Sequence, residues 1–512
     1  DRREFLMLSN LNRREFFRFS GLGAGSAGIL ALNGSAGRLS EGLPVFTRDF
    51  QIGKPLRVKP VLVYEIFERR EQTSWRPWGG LHDMTDVQAE EERILKELAG
   101  LVEAAEFPLE VLPLARAGSE NECALAGEGD HDVLLFYAAM GSNSWLEKLT
   151  ASGKPAIMFL RHRSGPVYLW YEIAHPRFLR KTADAYGEKN LDVNDIVVDE
   201  YADILWRLRA LYGLKNTRGT RIVAIGGAGG WGEGSSLAPA ISRDLWGLDI
   251  REVSYEQLEP LIRKAMGDRK KMSAAERRTD EILSHRDVNL QTDRQFVVNA
   301  VLLNDIFREL MQEADAPAIT VQGCMSTIIP IARTTACLSL SLINDDGLMA
   351  FCESDFVVIP SGILLRYISG RPSFLQDPTH PHHGVVTVAH CTAPRRMNGL
   401  DLEPVRILTH YESDYGAAPK VEMKIGQIVT NIAPNFHSTR WIGFTGKIID
   451  HPFMDICRSQ IDIEIHGDWR RLLDQMQGFH WMTCYGDCLK EVGYAVKKLG
   501  IEWVDVSDNS IA

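Results

Sequence analysis

RVKPVLVYEIF, residues 57–67, is a short run rich in Val and other apolar residues, and MTDVQAEEERILKELAGLVEAA, residues 84–105, follows it with apolar side chains at helical spacing. The first pattern suits a buried strand and the second an amphipathic helix. The alternation then continues through FPLEVLPLA (107–115), HDVLLFYAA (131–139), a short helix and KPAIMFLRH (154–162). Strand, helix, strand at this rhythm implies parallel βαβ units and an α/β layer domain. A charged helical run, NDIVVDEYADILWRLRALYGLKNTRG (194–219), closes this unit, which spans 55–217.

A second α/β unit, 218–370, starts at TRIVAIGG (220–227) and repeats the alternation through LDIREVS (248–254), a polar helical zone near 255–285, a helix over 293–314, AITVQGC (318–324) and LMAFCESD (348–355). After Gly370 the texture changes. GVVTVAHC, PVRILTHYE, KVEMKIGQIVTNIA, RWIGFTGKII and SQIDIEI are short β-branched runs separated by turn signals, which read as an antiparallel sheet or barrel over 371–512. The expected fold is α/β: two consecutive doubly wound parallel-sheet domains followed by a mainly antiparallel, barrel-like C-terminal domain.

A chain of 512 residues has ample core for several domains. Its net charge of −11 argues against a duplex nucleic-acid partner. The eight cysteines are scattered singly, without the paired spacing of a zinc ribbon, and read as buried thiols. Near the start, LNRREFFRFSGLGAGSAGILALNGSAG places Arg13 and Arg14 before Phe16, Phe17 and a small-residue run ending at Gly34-Ser35-Ala36. This has the form of a twin-arginine export signal over 1–36, the alternative being a basic amphipathic terminal helix. No other uncharged run is long enough to span a bilayer. The expectation is a periplasmic protein, free of the membrane once the signal is removed, that is exported already folded and carrying its metal.

Two sets of residues invite chemistry. GGAGGWGEG, residues 226–234, follows a strand, and Gly227, Gly229 and Gly232 fit GxGxxG, with Glu252 at the end of the next strand. That is a dinucleotide fingerprint or simply a tight bend, and Pro239 interrupts the helix that should follow. The second set lies in the last third. Glu353 and Asp355 interrupt an otherwise apolar run, LMAFCESDFVVIP (348–360), where an isolated charge would be too costly to bury. Asp377 sits in SFLQDPTHPHH, His390 in VVTVAHCTAP and His480 in GFHWMTCYGD. Carboxylates and imidazoles with open positions suit a hard or borderline divalent ion such as Mn²⁺ or Mg²⁺, where zinc would more often draw Cys or three His.

CESDF, FLQDPTH, VAHCTAP and HWMTCYG occur in the order, and with much of the spacing, of the L-fucose isomerase and L-arabinose isomerase group of metal-dependent sugar isomerases, which the chain resembles over roughly residues 55–510. The resemblance implies an aldose–ketose isomerase in which Glu353, Asp377 and His480 hold one Mn²⁺, Gln322 faces the sugar and His390 matches a further ligand of the arabinose isomerases. It also implies a homo-oligomer. Glu353 and Asp377 would then each bind the ion through one oxygen while a free oxygen of one or the other carries the proton of the ene-diol step. Asp355, two residues from Glu353, is expected to face the opposite side of the strand. Trp78, with Trp75 and Arg69 in RREQTSWRPWGG, would contact sugar or a neighbouring subunit. The competing readings are an exported sugar-binding protein without catalysis and a nicotinamide-dependent oxidoreductase using the 227–232 loop.

Overall fold

A computed structural model describes residues 53–180, 191–232 and 235–507; residues 1–36, expected to be an export signal, lie outside the described residues. The first sheet contains β1 (Leu56–Val63), β2 (Leu109–Val111), β3 (Ala115–Ala117), β4 (Val133–Ala138), β5 (Ala156–Leu160) and β6 (Ile196–Val198), all parallel, in the order β2-β1-β4-β5-β6. FPLEVLPLA is broken around Pro113, so β2 and β3 pair with successive halves of β1. The 194–219 run is likewise not one helix. Its β-branched Ile196–Val198 completes the sheet edge beside β5, and the helix proper is Tyr201–Thr217. Burial of β4 and β5 along their whole length explains their unbroken apolar sequence. Helix Met84–Ala104 is started by an Asp83/Asp86 capping box and lays Val87, Ile94, Leu98 and Leu101 into the core. Glu90 lies in that buried stripe, where Arg161 and Tyr168 compensate its charge.

The second sheet is built from β7 (Arg221–Ile225) and β8 (Asp249–Val253); then, after β9 (Val288–Leu290) has left for another sheet, from β10 (Ala318–Val321) and β11 (Met349–Cys352). The order β11-β10-β7-β8 is parallel throughout. The chain winds one way from β7 and then the other way to β10, so the β7/β10 gap is a switch point, where α/β sheets bind ligands at strand carboxyl ends.

The C-terminal part forms a closed barrel. β12 (Phe374–Pro378) and β13 (Val385–His390) enter it, while the hairpin β14 (Val405–His410) and β15 (Tyr415–Val421) leaves it to pair with β9. β16 (Ile428–Pro434), β17 (Arg440–Asp450), β18 (Ser459–Ile465) and β19 (Trp481–Tyr485) complete the ring β16-β19-β12-β13-β18-β17, shut by antiparallel pairing of β17 with β16. β20 (Glu502–Asp505) adds to β17 outside the ring. Closure leaves no free edge among the six strands. All eight cysteines are unpaired, and among the described residues no single helix is long and apolar enough to cross a membrane.

Helix Tyr201–Thr217 joins these parts. It packs against helices Ile359–Ser369 and Leu489–Lys497, and the first sheet shares one continuous core with both. Close approach depends on Gly213, whose missing Cβ would lie 2.4 Å from Ile368 Cγ1. Gly213→Ala is expected to destabilise the protein by roughly 1–3 kcal/mol through overpacking, outweighing the gain in helix propensity. Thermal unfolding of the variant measures it.

Candidate metal centre

The turn after β11 meets the ends of β12, β13 and β19. β11 stops at Cys352, and the next two residues are left-handed, Glu353 at φ 63° and Ser354 at φ 47°. Such backbone in non-glycine residues costs of order 1–3 kcal/mol each and is held by its surroundings. Here Ser354 N–H donates to Thr320 Oγ1 at 3.1 Å, and the glycine loop runs alongside, with Gly229 N–H on the Ser354 carbonyl and Phe356 N–H on the Gly229 carbonyl. Glu353 and Asp355 therefore sit on a turn, and strand alternation does not separate them. Asp355 is fully buried and points into the centre: its Oδ2 lies 2.7 Å from His480 Nδ1, while Oδ1 accepts from Val357 N–H at 3.1 Å and Trp231 N–H at 3.3 Å. The expectation that Asp355 faces away is corrected by this geometry.

Asp377 projects from β12, His390 ends β13 and His480 immediately precedes β19. His480 Nε2 lies 3.2 Å from Asp377 Oδ1 and 3.5 Å from Glu353 Oε2, and His390 Nε2 lies 3.5 Å from Glu353 Oε1. Asp377 Oδ1, His390 Nε2 and His480 Nε2 are all shielded from solvent and none has a hydrogen-bond partner, although they lie within 4.8 Å of one another. Buried polar atoms left this way are costly unless something else binds them. Three unsatisfied ligand atoms aimed at one point, with Glu353 beside them, suit a divalent cation.

The electrostatics agree. Burial pushes the Glu353 carboxyl up, but His390 and His480 outweigh it and hold the group well below the usual carboxylate range. Burial lowers His480, yet Asp355 and then Glu353 raise it to about 10. His390 is also raised, by Glu353 and Asp377 against the cost of burial. The carboxylates thus favour positive charge at the two imidazoles, which a bound divalent cation would supply in place of protons. Asp355 on Nδ1 fixes His480 in the tautomer that leaves Nε2 free as a ligand. His390 Nδ1 faces the Thr392 hydroxyl at 3.3 Å, which likewise turns Nε2 inward.

Gln322 packs on the glycine loop that walls the centre, and Trp78 lies on the loop after β1. Gln322 follows β10 at the switch point: its N–H donates to the Ile225 carbonyl, its carbonyl accepts from the Tyr255 hydroxyl, and its amide covers Gly227 and Gly229. Trp78 is exposed on the loop after β1. The glycine loop forms a wall of the centre, and the helix after it starts only at Ala238, behind a 3₁₀ turn over Ser235–Leu237. Among the described residues, the helix does not open at the glycines as it does in a dinucleotide fingerprint. Two aromatics escaped the sequence reading. Trp231 and Phe479, 44% and 45% exposed, stack at 5.1 Å, and both meet the His480 ring edge-on. An exposed Trp inside a glycine turn was the available signal.

Comparison of the chain with protein-family models and with curated proteins finds no match.

Proposed function

We propose that the protein is a divalent-metal-dependent aldose–ketose isomerase that acts on a sugar through an ene-diol. The observation that carries this reading is the convergence of Asp377 Oδ1, His390 Nε2 and His480 Nε2, buried and unpartnered, beside the open-edged carboxylate of Glu353. Their order along the chain, and the motifs around them, support it through the resemblance to the fucose and arabinose isomerases. On the same reading the chain is exported by its twin-arginine segment and assembles as a homo-oligomer.

A divalent ion such as Mn²⁺ or Mg²⁺, held by Glu353, Asp377 and His480, would supply Lewis-acid polarisation of the oxygens on C1 and C2 of an open-chain sugar. The side chains do the rest. Glu353 and Asp377, about one-third and two-fifths exposed, are the carboxylates within reach of a substrate, and one takes the C2 proton and returns it at C1. His480 is held rigid by Asp355, so the acids keep their positions around it. Trp231 and Phe479 offer an apolar platform next to His480 on which the C–H face of the sugar's remaining carbons can rest.

Two results are expected. EDTA should abolish interconversion in a screen of free aldoses and ketoses, and Mn²⁺ should restore it. Trp231→Ala should raise KM roughly 2- to 10-fold with a smaller change in kcat, the size of a lost aromatic contact. Full turnover in the presence of excess chelator would remove the metal from the mechanism.

A further inference from the structure

A second set of ligand atoms overlaps the first at His390 and includes Glu353. Cys352 Sγ, a Glu353 carboxylate oxygen and a ring nitrogen of His390 all lie within 4.8 Å of one another. His390 is 2% exposed, its Nε2 has no hydrogen-bond partner, and that atom faces Glu353 Oε1 at 3.5 Å. Cys352 is unpaired and 7% exposed, while Glu353 leaves a path to solvent. Glu353 is divided between the two groups: Oε1 turns to His390, and Oε2 to His480.

We propose that Cys352, Glu353 and His390 form a second site for a borderline-soft divalent cation of the zinc type, in which His390 Nε2 serves this ion and leaves Glu353, Asp377 and His480 to the oxygen-rich centre, with Glu353 bridging the two. Thiolate, imidazole and carboxylate with an open fourth position are a zinc ligand set. The neighbouring pair of carboxylates with one imidazole favours manganese or magnesium. A carboxylate that offers one oxygen to each side can serve two ions at once, the spacing of two-metal sites being about 3.5–4 Å. Binding exchanges the thiol proton for the cation: Cys352–SH and the hydrated ion give the thiolate-bound ion and one proton released to solvent, with no electron transferred.

The test is optical and does not depend on the isomerase reading. The full-length metal-free protein is titrated with Co²⁺, whose bond to a thiolate gives an intense near-ultraviolet charge-transfer band that oxygen and nitrogen ligands do not give. The wild type should develop the band. Cys352→Ser should lose it, and His390→Gln should shift it to at least tenfold higher Co²⁺ concentration. Cys457→Ser, a nearby thiol control, should keep it, as should Asp377→Asn, which leaves the thiol group intact. Zn²⁺ should bleach the band, and it should do so at lower concentration than Mn²⁺. A wild type that binds Co²⁺ without the band would overturn the proposal, and so would a folded Cys352→Ser protein that retains it. If Cys352→Ser fails to fold, His390→Gln decides alone, because an unchanged titration there removes the imidazole and with it the site.

Discussion

Glu353→Gln and Asp377→Asn, each saturated with Mn²⁺, are expected to lower kcat by a factor on the order of 10² or more at whichever residue takes the C2 proton. The amide keeps the size of the side chain and one coordinating oxygen, but it has no basic oxygen to receive a proton. Both carboxylates are partly exposed at the rim, and both lie within 3.5 Å of the His480 ring nitrogen, so on the proposed reading either reaches the same substrate carbon. The two substitutions should differ in their side effects. Glu353 is approached by His390 as well as His480, whereas the ion pair of Asp377 is with His480, so losing the Glu353 charge removes an anionic ligand shared by both imidazoles. Glu353→Gln should therefore also weaken metal binding, while Asp377→Asn keeps more of it. Steady-state kinetics at saturating Mn²⁺, with the bound metal measured in parallel, separate the two effects. Equal turnover in both variants and the wild type would leave the carboxylates without a catalytic role.

Asp355→Asn carries the second large effect. Asp355 touches no substrate in this arrangement and acts as a positioning residue through His480. With the carboxylate gone, an amide N–H can face Nδ1, and the ring then carries its proton on Nε2, where a ligand lone pair is needed. Metal affinity is expected to fall about 10- to 100-fold, the usual cost of removing an outer partner of a ligating histidine. The pH dependence gives an independent readout. His480 is raised from 6.5 to about 10 in the metal-free fold, so its contribution is fully present below about pH 6.5 and is lost as the pH climbs toward 10. Melting temperatures in EDTA should therefore decline across that window in the wild type and decline less in Asp355→Asn, because the partner that raises the group is missing. A variant with wild-type affinity and an unchanged pH profile would make Asp355 merely structural.

The order of elements was legible because each βαβ unit switches its hydrophobic period locally: β4 and β5 are buried end to end and flanked by polar helices. The barrel was legible as a class, but the strand pairing that closes it was not. It depends on β17 meeting both β16 and β18, and on β14 and β15 leaving to join β9, and such pairings are chosen by tertiary packing rather than by the strands themselves. The 194–219 run read as one helix because its charges mask three β-branched residues that complete a sheet edge. At the site, Glu353, Asp377, His390 and His480 were recognisable by type and order. Asp355 was misplaced because alternation assumes a continuing strand, and nothing in Glu-Ser announces two left-handed residues. Trp78 stood out in composition, yet it lies exposed on the loop after β1. Trp231, hidden in a glycine pattern, stacks on Phe479 beside His480.

Deuterium wash-in tests the central claim most directly. Purified protein is incubated in D₂O with each member of an aldose panel, with Mn²⁺ or with EDTA, and the recovered sugars are analysed for label at C2. Proton abstraction is registered even where net turnover is slow. The account predicts label at C2 for at least one aldose, present with Mn²⁺, absent with EDTA, and lost in His480→Ala at metal concentrations that saturate the wild type. Label that appears equally in EDTA or in His480→Ala, or a metal-loaded protein that binds an aldose and never labels it, would contradict it.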